Sequence, residues 1–196
     1  MLHKLRAAMV RPGRERLRGM VEVDDTYWGA TESGGAKGRR SYKKALIIVA
    51  AEADGRGIGR IRMARIPNFD RETLHGFIHS TIEGASTVCT DGLNSYRDMA
   101  GYNHHREVQR RLKVGEHLLP RAHRVISLLK RWLLGTLQGA VGHQHLDDYL
   151  NEFVFRFNRR KSASRGKLFF RLAQQAVQIA PTTYKNLIQP QDIAVG

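Results

Sequence analysis

Two aspartates stand at places where apolar strands could present a carboxylate. Asp24 lies inside Val21-Glu22-Val23-Asp24-Asp25-Thr26-Tyr27, and Asp91 follows Thr87-Val88-Cys89-Thr90. A carboxylate within an apolar strand is costly unless it has a partner, so Asp24 reads as functional. Asp91-Gly92 also reads as an ordinary turn, and Asp91 alone carries less weight. If the two strands are neighbours, both carboxylates face one hard divalent cation, which prefers oxygen ligands. The chemistry this suggests is phosphodiester transfer. That reaction needs in-line geometry and neutralised charge on the attacking and leaving oxygens, and two metals ~4 Å apart supply both. Glu22 and Asp25 flank Asp24 and are expected to point away from its face.

A third position lies on a helix that begins near Pro120 and carries Val125, Ile126, Leu128, Leu129, Trp132 and Leu133. His123 and Lys130 are two helical turns apart and share a face. A metal ligand at His123 with a phosphate-binding cation at Lys130 makes a DNA-cutting face. By themselves, a lone helical histidine and a Lys130-Arg131 solvated end read as ordinary surface.

The elements that must position these groups follow from the apolar pattern. Strands are expected over 20–27, 45–51, 58–66 and 86–90, with a fifth over 105–109. The second is a continuous apolar run, as in a strand covered on both faces. Asp70 caps a helix through Ile82, closed by Gly84. A short helix spans 94–99, and further helices run from Pro120, over about 145–158 and over about 168–179. Residues 2–8 fit a short amphipathic helix, and 29–40 a glycine-rich basic loop. Three antiparallel strands followed by strands linked through helices give an α/β mixed sheet flanked by helices, the RNase H-like order.

The bulk composition narrows the partner. In 196 residues, Lys and Arg total 33 against 18 Asp and Glu, a net charge of +15. Such a chain repels itself unless a polyanion neutralises it, and nucleic acid is the obvious one. Hydrophobic residues make up 41%, enough for a core, yet no run approaches the ~18 apolar residues of a membrane span. No signal peptide is read in the basic N-terminus. Cys89 is the only cysteine, which excludes a disulfide or a cysteine-based zinc site within the chain. Two basic segments are candidate DNA contacts: Lys37, Arg39, Arg40, Lys43 and Lys44 after the first strand, and Arg159, Arg160, Lys161 and Arg165 after the later helix. Lys130 and Arg131 join them.

Taken in order, VEVDDTYWG, VCTDGLNSY, EHLLPRAHRVISLLKRWLLGT and YLNEFVFRFNRR resemble the ISXO-like group of DDE-type insertion-sequence transposases. The resemblance runs from about residue 3 to about residue 175. It implies that Asp24 and Asp91 are the catalytic aspartates and that His123 occupies the third metal-ligand position, accompanied by Lys130. It implies Mg²⁺ as cofactor, with Mn²⁺ as a substitute. The implied reaction is hydrolysis at transposon ends, followed by attack of the freed 3′-hydroxyl on target DNA. The implied partners are DNA and a second copy of the chain, as a homodimer or larger assembly, in the bacterial cytoplasm.

His123 departs from the acidic triad, offering one nitrogen and no charge, so softer metals should be better tolerated. Members of the group usually begin with a zinc ribbon and a helix-turn-helix, and this chain begins at the linker. The expectation is a truncated reading frame whose core is chemically intact but poor at finding its own ends. In this division 1–19 is a basic linker, 20–160 the catalytic domain and 161–196 a basic segment with a helical tail. Two other readings stay open: a catalytically inactive remnant that only binds DNA, and another RNase H-like DNA nuclease.

Overall fold

The computed structural model describes residues 2–10, 13–29, 44–107, 118–138, 141–142, 145–164 and 166–178. Strands β1 (Met20–Trp28), β2 (Ala45–Asp54), β3 (Gly57–Ile66), β4 (Thr87–Thr90) and β5 (Asn103–Arg106) form one sheet. Their order is β3-β2-β1-β4-β5. The first three pair antiparallel, β4 joins β1 in parallel and β5 joins β4 in parallel. This is the RNase H-like arrangement expected from the element order. Helices α1 (Leu2–Ala8), α2 (Arg71–Thr81), α3 (Pro120–Arg131), α4 (Leu146–Asn158) and α5 (Lys167–Ala176) accompany it. Among the described residues no helix is long and apolar enough to cross a membrane.

The central strands are apolar on both faces because each face has its own core. On one side, Trp28 of β1 and Ile47, Val49 and Ala51 of β2 pack with Ala122, Val125, Ile126 and Leu129 of α3 and with Leu146, Leu150 and Val154 of α4. On the other, Val21 and Val23 of β1 and Ile48 and Ala50 of β2 pack with Leu74 and Ile78 of α2, Ile82, Val88 and Tyr96. Period-two alternation therefore assigns the even positions of β1 to the α3 side and the odd ones to the α2 side.

Several expected boundaries move. Asp70 does cap α2, its Oδ1 accepting the Thr73 N–H at 2.8 Å. The helix stops at Thr81, and Ile82 turns extended to bridge Leu17. That pairing satisfies the backbone there: Leu17 N–H donates to Thr81 O and Glu83 N–H to Leu17 O. The residue with left-handed φ after it is Ala85 (φ 62°), not Gly84. The helix expected over 94–99 is a 3₁₀ turn, Asn94–Tyr96, since Asp98 takes positive φ. β5 begins at Asn103, and 108–109 of its expected span lie outside the described residues. α5 ends at Ala176 rather than near 179, and residue 179 itself lies outside the described residues.

β3 is an edge strand, and an edge leaves backbone groups unpaired. Asn158 at the end of α4 substitutes for a neighbouring strand. Its Oδ1 accepts the Ile61 N–H at 2.7 Å and its Nδ2 donates to Ile61 O at 3.1 Å. Asn158→Ala strands both groups in a partly buried place, which costs about 1–3 kcal/mol. Thermal melting should show a clear fall; an unchanged midpoint would mean that water replaces the amide without loss.

Candidate active site

Asp24 sits in the middle of β1, opposite Val49 of β2. On its other side β1 pairs with β4 in the register Met20 with Thr87 through Glu22 with Cys89. The pairing ends there, and continuing its offset two residues brings Asp24 level along the sheet with Asp91, one residue past the end of β4. Both are half-buried, on the α3 side of the sheet. Asp24 Oδ1 accepts the Asp25 N–H at 2.8 Å, and Asp91 Oδ1 accepts the Leu93 N–H at 3.0 Å. Among the described residues the second oxygen of each carboxylate takes no hydrogen bond.

α3 brings the third group. Its apolar stripe, Ala122, Val125, Ile126 and Leu129, lies on β2 and β1, and His123 and Lys130 are exposed along one flank of that stripe, about a quarter-turn round the helix. Pro120 starts the helix, where its missing N–H costs nothing. The electrostatics join the three groups. Burial pushes the Asp24 carboxyl above the ordinary carboxylate range, and the nearby Asp91 and Glu22 carboxylates push the same way. The Asp25 N–H and His123 oppose that shift. The described residues contain no group of three or more His, Cys, Asp or Glu spaced to hold a metal ion. The donor chemistry nevertheless fits a hard divalent cation: two mutually repelling carboxylates, each with one oxygen left over, on adjoining strands. His123 stands outside that pair.

Residues 16–158 match the ISXO2-like transposase domain. The chain belongs to that family. No curated protein matches it. Among solved structures, the catalytic core domain of BIV integrase is similar over 81% of this chain and 97% of its own length, at 14% identity and a TM-score of 0.42. The chain is thus a DDE-type transposase domain, of a family that acts on DNA, and its RNase H-like sheet is read from the strand order above.

Two residues of this transposase domain escaped the sequence reading. Glu22 was expected to point away from Asp24's face. A strand repeats every two residues, so Glu22, two before Asp24, shares its face, and only Asp25 turns to the other side. Glu22 is buried, and its carboxylate accepts the Arg121 N–H at 2.6 Å, the Ala122 N–H at 3.0 Å and Arg121 Nη1 at 2.8 Å. The signal was present in the spacing. Tyr96, in VCTDGLNSY, is fully buried on the α2 side. Burial, then Asp25, Asp91 and Asp24, drive its phenol pKa far upward, so it stays protonated.

The basic candidates divide. Lys37, Arg39, Arg40, Lys43 and Arg165 lie outside the described residues, and Lys44 is half-buried beside β2. Lys130 and Arg131 are exposed in the last turn of α3, ahead of a π-helical turn at Trp132–Thr136. Arg159 lies over the Phe155 ring at 3.8 Å and Arg160 over the Phe157 ring at 3.9 Å. Arg160 also donates to Gly59 O and Ile58 O on β3, and Lys161 pairs with Asp54 at 2.7 Å. These last contacts tie the end of α4 to the β2–β3 hairpin. Replacing Lys130 or Arg131 with alanine should each reduce the slope of log K against log[salt] by about 0.9 on duplex DNA. Arg160→Ala should instead lower the melting temperature, with a smaller change in slope. Salt titrations of DNA binding separate the two groups, and an unchanged slope for Lys130→Ala and Arg131→Ala would remove α3 from the DNA face.

Proposed function

We propose that this transposase domain hydrolyses the phosphodiester bond at transposon ends and then joins the freed end to target DNA. The observation that carries the reading is the placement of Asp24 and Asp91 on adjoining strands, level with each other and under the helix that bears His123. In the first step a water oxygen bonds to phosphorus and the bond to the 3′-oxygen breaks, leaving that oxygen with a proton. In the second, the 3′-hydroxyl attacks a target phosphorus, loses its proton and expels a target 3′-oxygen. A bound divalent cation, Mg²⁺ with Mn²⁺ as substitute, would activate the attacking oxygen and neutralise charge on the phosphate. Asp24 and Asp91 would hold it through their second oxygens, with the imidazole of His123 as the third donor. Lys130, two turns along the same face, binds a phosphate of the DNA strand. Arg131, Lys44, the basic residues between Lys37 and Lys43, and those from Arg159 to Arg165 contribute to neutralising the duplex. The working unit is a homodimer or larger assembly on paired ends, a reading supported by the family alone.

The test is a joining reaction. A short duplex with a recessed 3′-hydroxyl is incubated with supercoiled plasmid, protein and Mg²⁺ or Mn²⁺. Covalent plasmid–oligonucleotide products together with nicking support transposase chemistry. Nicking without joining, enhanced on branched DNA, would replace it with a nuclease reading, and neither product would leave a DNA-binding protein.

A further inference from the structure

The N-terminus of α3 has no side-chain cap of its own: Leu119 occupies the capping position. Its first free N–H groups are satisfied from the sheet instead. Glu22 Oε2 accepts both the Arg121 and Ala122 amides, and Oε1 takes the Arg121 guanidinium. The side chain of Glu22 is 4% exposed, so this is a buried carboxylate held by a helix N-terminus and a guanidinium together. Arg121 continues the chain of contacts, donating from Nε to Gly57 O and from Nη2 to Gly55 O at the β2–β3 turn. Each end of this link adjoins the site. Glu22 is two residues before Asp24 on the same face, and Ala122 immediately precedes His123, whose own N–H makes the helical bond to Leu119 O at 2.9 Å. A buried ionic link at the edge of an apolar interface is a weak source of stability, and fixing register is its best-attested use.

We infer that Glu22 is a positioning residue: by holding the start of α3 on β1 it fixes His123 against Asp24 and Asp91, and so sets how tightly the site takes a divalent cation. The inference rests on the reading of His123 as third donor. It assigns Glu22 no contact with metal or DNA. Outer groups that orient metal ligands typically alter metal affinity by about 10- to 100-fold when removed.

The readout is the Mn²⁺ concentration that gives half the rise in melting temperature, measured on the full chain, with the corresponding concentration for plasmid nicking beside it. Asp24→Asn, which should show no such rise, sets the non-specific baseline. Glu22→Ala should raise the half-point about 10- to 100-fold. Glu22→Gln keeps an oxygen for the two amides and loses the charge facing Arg121, so its shift should be smaller. His123→Ala should shift the half-point in the same range, and the double variant no further than His123→Ala alone, because Glu22 acts through that residue. Asn158→Ala serves as a control that lowers the metal-free melting temperature and leaves the half-point in place. If Glu22→Ala behaves like Asn158→Ala, or if the shifts of Glu22→Ala and His123→Ala multiply, the inference is overturned. If His123→Ala leaves the half-point unchanged while Asp24→Asn abolishes the response, the third-donor reading fails and takes the inference with it. Should Glu22→Ala fail to fold, Glu22→Gln and the double variant Glu22→Gln/His123→Ala carry the same comparison.

Discussion

Metal-dependent nicking of supercoiled plasmid should fall about 10³-fold in Asp24→Asn and in Asp91→Asn, with DNA binding retained. A metal contributes several kcal/mol of charge stabilisation in the transition state, and about 4 kcal/mol corresponds to three decades in rate. Asparagine keeps the shape of each side chain, so the loss reports charge and coordination. The same substitution at Asp24 should act in the opposite direction on stability. Burial, with Asp91 and Glu22, raises the folded pKa of Asp24. A raised carboxyl stabilises the fold below its unfolded pKa of ~3.9 and loses that contribution as pH rises through the folded value. At pH 7 the ionised group therefore opposes folding. The amide oxygen of the substituted side chain would still accept the Asp25 N–H, so without metal the variant should melt higher than the native chain at pH 7, the gap closing toward pH 4. Mn²⁺ should reverse the order. Nicking assays and melting curves at the two pH values check both halves, and a native chain that nicks no faster than Asp24→Asn would refute the catalytic assignment.

Leu129→Ala should destabilise the domain by about 2–5 kcal/mol, lowering the melting temperature by roughly 5–20 °C. Leu129 is fully buried in the core that joins α3 to β2. Truncation removes its contacts and leaves a cavity that a sheet and two helices cannot easily collapse. Leu134, in the π-helical turn, is 59% exposed, and Leu134→Ala should change stability by no more than about 0.5 kcal/mol. Calorimetry or fluorescence melting compares them. Equal effects would mean that the inward stripe of α3 is rotated from the one described. Nicking by Leu129→Ala should match the native chain at low temperature and be lost as the variant melts, since the truncation touches no group of the site.

The strongly periodic segments were legible from the chain. The continuous apolar run of β2 announced a strand with a core on each face, and the stripe of α3 announced both its buried side and the exposed pair His123 and Lys130. Asp70 marked the start of α2 through cap chemistry that acts over three residues. These are local signals, and each needs only its near neighbours. The ends were less legible where a distant partner decided them. Ile82 left α2 because Leu17 offers it a backbone pairing from a segment far away in sequence. Asn158 read only as the last residue of a helix, and its role at Ile61 exists only once α4 lies along the edge of β3. Arg160 and Lys161 were drawn to the same hairpin for the same reason.

The sequence by itself determined the order of elements along the chain, the positions of the two aspartates and the basic character that points to nucleic acid, because residue type and period are properties of the chain. Only the tertiary structure decided how those groups meet. The parallel register of β1 and β4 set Asp24 level with Asp91, and the burial of Glu22 against the start of α3 tied His123's helix to the same strand. Pairing register and the filling of a helix N-terminus are contacts between segments far apart in the chain, and their energy appears only when the sheet and helix are brought together.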